Sequence, residues 1–441
     1  MIYLLTLVLK PRNKPYTNTL ALIKKNCMQK FKQSTLTFLF ILISIPILNA
    51  QVKDCSCKTD LEFLNQKIKQ TPSYKVNKEN YKLEYAKTKK SIENLNSGYD
   101  CFLQLNKLML SLNDRHCNLY GINKGLDEES KKDTSKFEEF KVSNLYNVYP
   151  RPEINLDSLK KSLKQKATAS IEGVYYRQGY LTLGVYKTIK NNDYRAIILE
   201  SEMDVWEVGE VIYTLVPYGN NYLLAVGGSL YSKRMISYGE RIENGVFLTM
   251  QFQKDNSKAN NSISLYPEST YFRKEISPET TYLKIGSFNS WNPTLSEAYK
   301  FYKSLEGTLT KNNLILDLRD NGGGGDRNSK GLYKILKKYI KKNNVYVLVN
   351  HRTASNAEQF VYKLNDFGNC TILGNRTSGT ATYEKVNSNY NLPCENYIVV
   401  LTSKKHIKYL KLESMGLEPD IKLAVENDWM IQVQNYIEKN N

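Results

Sequence analysis

Between residues 57 and 112 apolar side chains recur at helical spacing, with Leu61, Leu64 and Ile68 on one face and Phe102, Leu105, Met109 and Leu112 on another. Thr59-Asp-Leu-Glu62 has the form of a capping box and predicts a helix start there. Residues 51–140 therefore read as an N-terminal helical region, closing in the charged run Asp127 to Asp133, which has the character of a solvated loop. From Ile171 to Leu265 the pattern shortens to strands separated by turn residues such as Asn191-Asn192-Asp193. Strands are expected at 180–186, 194–200, 210–215, 222–226, 246–252 and 262–265, which predicts a small antiparallel barrel or sandwich within a β-rich middle domain, 141–273. From about residue 280 strands alternate with helices: strands at 282–288, 314–318 and 345–349, helices at 295–305, 328–341 and 355–364. That order predicts an α/β layer structure over 274–441, on which a final helix at 427–438 docks through Trp429, Val433, Tyr436 and Ile437.

Length and composition narrow the function without deciding it. At 441 residues, 41% apolar and 24% charged, the chain can hold two or three packed domains and is too apolar for a disordered protein. Seven of its 62 cations lie in the first fifty residues, which hold no acid, leaving 55 against 44 and a net +11 elsewhere. That excess is scattered, so it forms no stripe for nucleic acid. No uninterrupted apolar run long enough for a membrane span follows residue 50.

The first fifty residues read as a secretory signal. Met28-Gln-Lys-Phe-Lys32 is cationic, Leu36 to Leu48 is apolar, and Asn49-Ala50 puts a small residue at the cut, with Met28 as an alternative start. Leu48 is a poor residue three places before Gln51, so an uncleaved anchor is the alternative. Export to a secreted, periplasmic or envelope location makes disulfides the expected state of the six later cysteines. The working expectation is that Cys370 pairs with Cys394 and that Cys55, Cys57, Cys101 and Cys117 pair among themselves. A zinc site is disfavoured, because the three histidines are far apart and one Cys-x-Cys is poor ligand spacing.

Two segments carry chemistry. Leu314 to Asp326 is a buried-looking strand emptying into four glycines before a helix, where exposed N–H groups can receive negative charge. Asp326 stands where a phosphate loop needs Lys-Ser/Thr, which argues against a nucleotide. Val345 to Glu358 repeats the strand, turn and helix, and puts Ser355 at a helix N-terminus, where the Asn356 N–H could stabilise an oxyanion. The same Ser355-x-x-Glu358 also reads as a plain capping box.

Asp317-Leu-Arg-x-Asn-x-Gly-Gly324, Thr353-Ala-Ser-x-Ala-Glu358 and Gly374-x-x-Thr-x-Gly379, in that order, resemble the tail-specific, or C-terminal processing, serine peptidase family. The likeness covers roughly the last 160 residues, with a weaker echo at Leu112-Asn-Asp-x-His116. It implies a ClpP/crotonase-type core with Ser355 as nucleophile, and an oxyanion hole of Gly323, Gly324 and Asn356. The family's usual lysine base is replaced by Thr380; Lys385, five residues on, is an alternative base, although a lysine at its ordinary pKa of about 10.4 needs burial to serve. The tricorn-like branch uses histidine instead, and its histidine segment is similar to Asp114-Arg-His116, with Arg115 where that branch has serine.

Of the three histidines, His116 matches the branch, His351 precedes the nucleophile by four residues, and His406 sits among lysines that would depress its pKa. His116 is therefore the expected acid/base. Glu413 falls where the tricorn-like branch carries an acid of its charge relay, so it is expected to orient His116 or a bridging water, with Asp114 as a rival orienter. No carboxylate-binding loop of the peptide-binding PDZ type is visible between 140 and 273, so recognition of a free C-terminus is not carried over. The expectation is an exported serine endopeptidase acting on extended or unfolded polypeptide, needing no metal or organic cofactor, without nucleic-acid partner or stable membrane insertion after signal removal. A peptide-binding protein that has kept the scaffold and lost turnover is the alternative.

Overall fold

Three consecutive strands of the late region are buried at nearly every position, as strands covered on both faces must be. In the computed structural model they form the middle of a six-stranded sheet in the order Tyr271–Ser277, Thr280–Ile285, Asn313–Asp317, Asn344–Val349, Cys370–Gly374, Ile421–Lys422. The first pair is antiparallel and every other pair parallel. Leu314, Leu316, Val345 and Val347 face the helices Thr294–Leu305, Asp326–Tyr339 and Asn356–Leu364. Ile315, Tyr346 and Leu348 pack on the other side with Trp429 and Val433 of the last helix, Trp429–Asn440. The fold is α/β, with the sheet's C-terminal ends delivering the glycine loop and the Ser355 turn to the same edge.

The structure describes residues 55–440 except 94, 96–97, 190–191, 220–221, 258–259, 264–268 and 386–387. The expected signal, with Met28, lies outside them, as does part of the strand expected at 262–265. The middle region is a six-stranded antiparallel meander in chain order: Gly173–Arg177, Leu181–Lys187, Tyr194–Ser201, Val211–Tyr218, Tyr222–Gly228 and Met235–Glu240. The strand expected at 246–252 is cut to Val246–Phe247, because the chain turns and Gln251 adopts a positive φ of 63°. The early helices and the meander share one core, in which Phe102, Leu105 and Leu108 meet Leu183, Ile198 and Ala225.

The first helix, Cys57–Ile68, starts earlier than expected, because Ser56 rather than Thr59 is its cap and accepts the Thr59 N–H at 3.4 Å. The helix Tyr99–Leu110 ends in the turn carrying His116, and the chain then forms a strand, Asn118–Gly121, within the region expected to be helical. That strand pairs antiparallel with Tyr397–Val400, so the histidine turn is fastened to a strand about 280 residues later. The cysteine expectation is corrected: Cys55 pairs with Cys394 and Cys57 with Cys101, while Cys117 and Cys370 are free. Cys370 is committed to the core sheet, whereas Cys394 lies in the turn before Tyr397, where its N–H is held by Asp60 of the first helix at 2.9 Å.

Candidate active site

Ser355 leaves the end of strand Asn344–Val349 through a turn that is stapled to the glycine loop. The Asn350 side-chain oxygen accepts the N–H groups of Arg352 at 3.0 Å and Thr353 at 3.1 Å. The Thr353 hydroxyl donates to the Leu318 carbonyl at 2.9 Å, and the Ala354 N–H to the Asn321 carbonyl at 3.0 Å. Ser355 itself has φ 57° and ψ −121°, a conformation a residue with a Cβ rarely adopts, costing about 1–3 kcal/mol. An ordinary N-cap sits in the extended region, so capping alone does not explain this geometry. The Glu358 carboxylate does accept the Ser355 N–H at 2.9 Å, and the expected capping box is present. The Ser355 hydroxyl lies 3.0 Å from Nε2 of His116.

Two buried carboxylates hold the backbone of the histidine turn rather than the ring. Asp114 accepts the His116 N–H at 3.1 Å and is bonded by the Thr402 hydroxyl. Glu413 accepts the Arg115 N–H at 3.2 Å and the Thr382 N–H at 3.0 Å. Among the described residues the enclosed Nδ1 of His116 has no partner, so neither carboxylate orients the imidazole directly. Burial, with the charges of Lys385 and Arg115 behind it, lowers the His116 pKa to about 4, which leaves the ring neutral and able to accept a proton at pH 7. Burial, then the neighbouring Asp114, pushes Glu413 up to about 8. Arg115 replaces a serine without joining the relay: its guanidinium bonds the Ser378 carbonyl and lies 3.7 Å from the centre of the Tyr222 ring.

The glycine loop is shaped by Asn321, whose side chain donates to the Ile285 carbonyl and accepts the Gly323 N–H, both at 2.9 Å. This corrects one expectation, since the Gly323 N–H is already taken and is not free for an oxyanion. The Gly323 carbonyl accepts the Phe288 N–H at 3.0 Å, and a planar trans peptide then turns the Gly324 N–H away from Phe288. Among the described residues the N–H groups of Gly324 and Asn356 have no acceptor, so these two remain as donors. Gly323 has φ 92°, and a Cβ there would stand 2.7 Å from the Ala354 carbonyl and 2.9 Å from both the Asn356 nitrogen and Ser355 Cβ. Upstream, Asp317 and Arg319 form a buried pair at 2.6 Å that fixes the strand's exit into this loop.

Among the described residues none of the rival bases hydrogen-bonds the Ser355 hydroxyl. Lys385 is exposed. His351 is buried near Tyr222, and burial with the charges of Arg241 and Arg115 lowers its pKa well below normal. His406 sits 2.9 Å from the Glu384 carboxylate, so an anion as well as lysines faces it. Asp326 accepts from the Asn356 side chain at 3.0 Å and from Lys363 at 3.2 Å. Sequence reasoning misses Glu358, Asn321 and Thr380 as working parts: in the sequence Glu358 reads as a cap, and Thr380 as the absence of a lysine.

Fold and site together define a serine-type peptidase. The model for Peptidase family S41 matches residues 279–338 and 325–423, which contain the glycine loop, Ser355 and Glu413. Among solved structures the chain is similar to mature CPAF, at 11% identity over 87% of this chain and 96% of that one, with a TM-score of 0.44. It is also similar to a putative peptidase from Parabacteroides merdae, at 14% identity over 87% and 96% with a TM-score of 0.38. The tricorn protease shares 12% identity over 87% of this chain and 37% of its own length, with a TM-score of 0.40.

Proposed function

We propose that the chain is an exported serine endopeptidase that cuts extended or unfolded polypeptide by acyl transfer. The observation that carries this reading is the 3.0 Å contact between the Ser355 hydroxyl and Nε2 of a neutral His116. Ser355 Oγ attacks the scissile carbonyl carbon while its proton passes to Nε2 of His116. The N–H groups of Gly324 and Asn356 receive the oxyanion. Collapse of the tetrahedral species expels the amine, which takes the proton back from His116, and water repeats the cycle on the acyl-enzyme. Glu413 acts as a positioning residue through the Arg115 N–H. Export is supported by the two disulfides, which persist in oxidising compartments. No helix among the described residues is long and apolar enough to cross a membrane.

A peptide-binding protein without turnover is the second reading, favoured by one observation: among the described residues no partner fixes the tautomer of His116 at Nδ1. A serine-reactive phosphonate separates the two. Labelling at Ser355, located by mass spectrometry and lost in His116→Ala, is the expected result. Labelling that survives in His116→Ala and disappears in Lys385→Ala moves the base to the lysine. Folded protein that binds a peptide at this site and takes no label is the binding protein.

A further inference from the structure

Ser355 carries its hydroxyl to His116 only because its backbone is held at φ 57°. Relaxing that angle to a negative value swings the Cα–Cβ bond, and with it Oγ, away from the imidazole. Something must hold the Ser355 peptide against that relaxation, and two oxygens share its N–H: Oε2 of Glu358 at 2.9 Å and Oγ1 of Thr380 at 3.0 Å. Glu358 comes from the same helix as Ser355, so it moves with the segment it restrains. Thr380 comes from a different segment, whose course is set by Gly379 at φ 79° packed against the 414–416 turn.

Thr380 is itself tightly fixed. Its hydroxyl donates to Glu358 Oε2 at 3.1 Å, which leaves a lone pair for the Ser355 N–H, and its own N–H bonds the same Oε2 at 2.8 Å. The other oxygen of Glu358 accepts the Gly379 N–H at 2.7 Å and the Thr377 hydroxyl at 2.5 Å. Glu358 is fully buried and Thr380 nearly so, which keeps water from competing for these bonds.

We propose that Thr380 is a positioning residue for the nucleophile: at the place where the resemblance expects a lysine base, this chain has a hydroxyl that fixes the Ser355 peptide so that the serine meets His116. The proposal rests on Ser355 and His116 being nucleophile and base. Thr380→Val keeps the shape and removes the hydroxyl, and Thr380→Ser restores it. The expected result is a fall of roughly tenfold or more in kcat and in the rate of phosphonate labelling for Thr380→Val, with KM within about twofold. Thr380→Ser is expected to recover to within about threefold of wild type. Rates are expressed per folded site, with folding followed by circular dichroism, so that a loss of stability alone does not move the readout. Should Thr380→Val not fold, Thr380→Ala against Thr380→Ser gives the same comparison. Wild-type labelling lost in His116→Ala but undiminished in Thr380→Val, or in a folded Thr380→Ala, overturns the positioning role and leaves the reaction standing. A wild type that takes no label overturns the reaction itself, and the positioning role with it.

Discussion

Replacing His116 with Asn removes a titrating group while keeping a polar side chain of similar size, and the structure sets what that should do to stability. In the unfolded chain an imidazole titrates near 6.5; in the folded protein burial and the nearby Lys385 and Arg115 lower it to about 4. Between those two values the unfolded state binds a proton that the folded state does not, so stability is complete above pH 6.5 and is lost as pH falls towards 4. The displacement corresponds to at most about 3 kcal/mol, a sizeable share of a domain's total stability. Glu413 works in the opposite sense: its folded pKa of about 8 lies above the ordinary carboxylate value, so stability is lost as pH rises from about 4.5 to 8. The two slopes oppose one another in the wild type, and the informative quantity is therefore the difference between wild type and His116→Asn. Urea unfolding at intervals from pH 3.5 to 8 should show the wild type losing about 3 kcal/mol relative to the variant between pH 7 and pH 4. Phosphonate labelling of the wild type should reach half its maximal rate near pH 4 rather than near 6.5. A stability difference that is flat with pH, or a labelling limb near 6.5, would show that His116 is solvated and refute the reasoning from burial.

Two further substitutions test the scaffold. Gly323→Ala drives a Cβ against the Ala354 carbonyl, the Asn356 nitrogen and Ser355 Cβ at a positive φ, and should lower the labelling rate by at least about 100-fold, measured per folded site. Changing Cys57 and Cys101 together to Ala removes a crosslink spanning 44 residues and should lower the unfolding free energy by up to about 4 kcal/mol in urea titrations.

Local patterns were read well where local physics decides. The continuous apolar runs of Leu314 to Leu316 and Val345 to Val349 are doubly covered strands, and the helix between them, expected at 328–341, spans Asp326–Tyr339. The same reasoning placed Ser355 at a helix mouth. It missed the strand Met235–Glu240, where Gly239 interrupts the alternation and pairing with Tyr222–Gly228 supplies the order that the sequence pattern lacks. The Cys57–Cys101 bridge falls within the expected pairing of the early cysteines, but the partner of Cys55 was not legible, because it is 339 residues away and only the folded chain brings the two together. At the glycine loop the sequence offers N–H groups without saying which are occupied; the side chain of Asn321 decides that, two residues away.

The nucleophile and its partner differ in this respect for a physical reason. Ser355 is set by its own helix, its own turn and residues 377–380, so the motif around it carries most of the information. His116 lies in a short polar turn with no periodicity, and nearly everything that holds it comes from the end of the chain. Thr402 bonds Asp114, Glu413 takes the Arg115 N–H, and strand Tyr397–Val400 pairs with the residues just after the histidine. The Cys55–Cys394 bridge fastens the turn that leads into that strand, so the early and late segments are joined where the imidazole must be placed. A lysine at position 380 would have put base and nucleophile in neighbouring segments of one core. With threonine there, the hydroxyl and the imidazole meet only because a tertiary clamp brings them together, and that clamp leaves almost no trace in a local reading of the sequence.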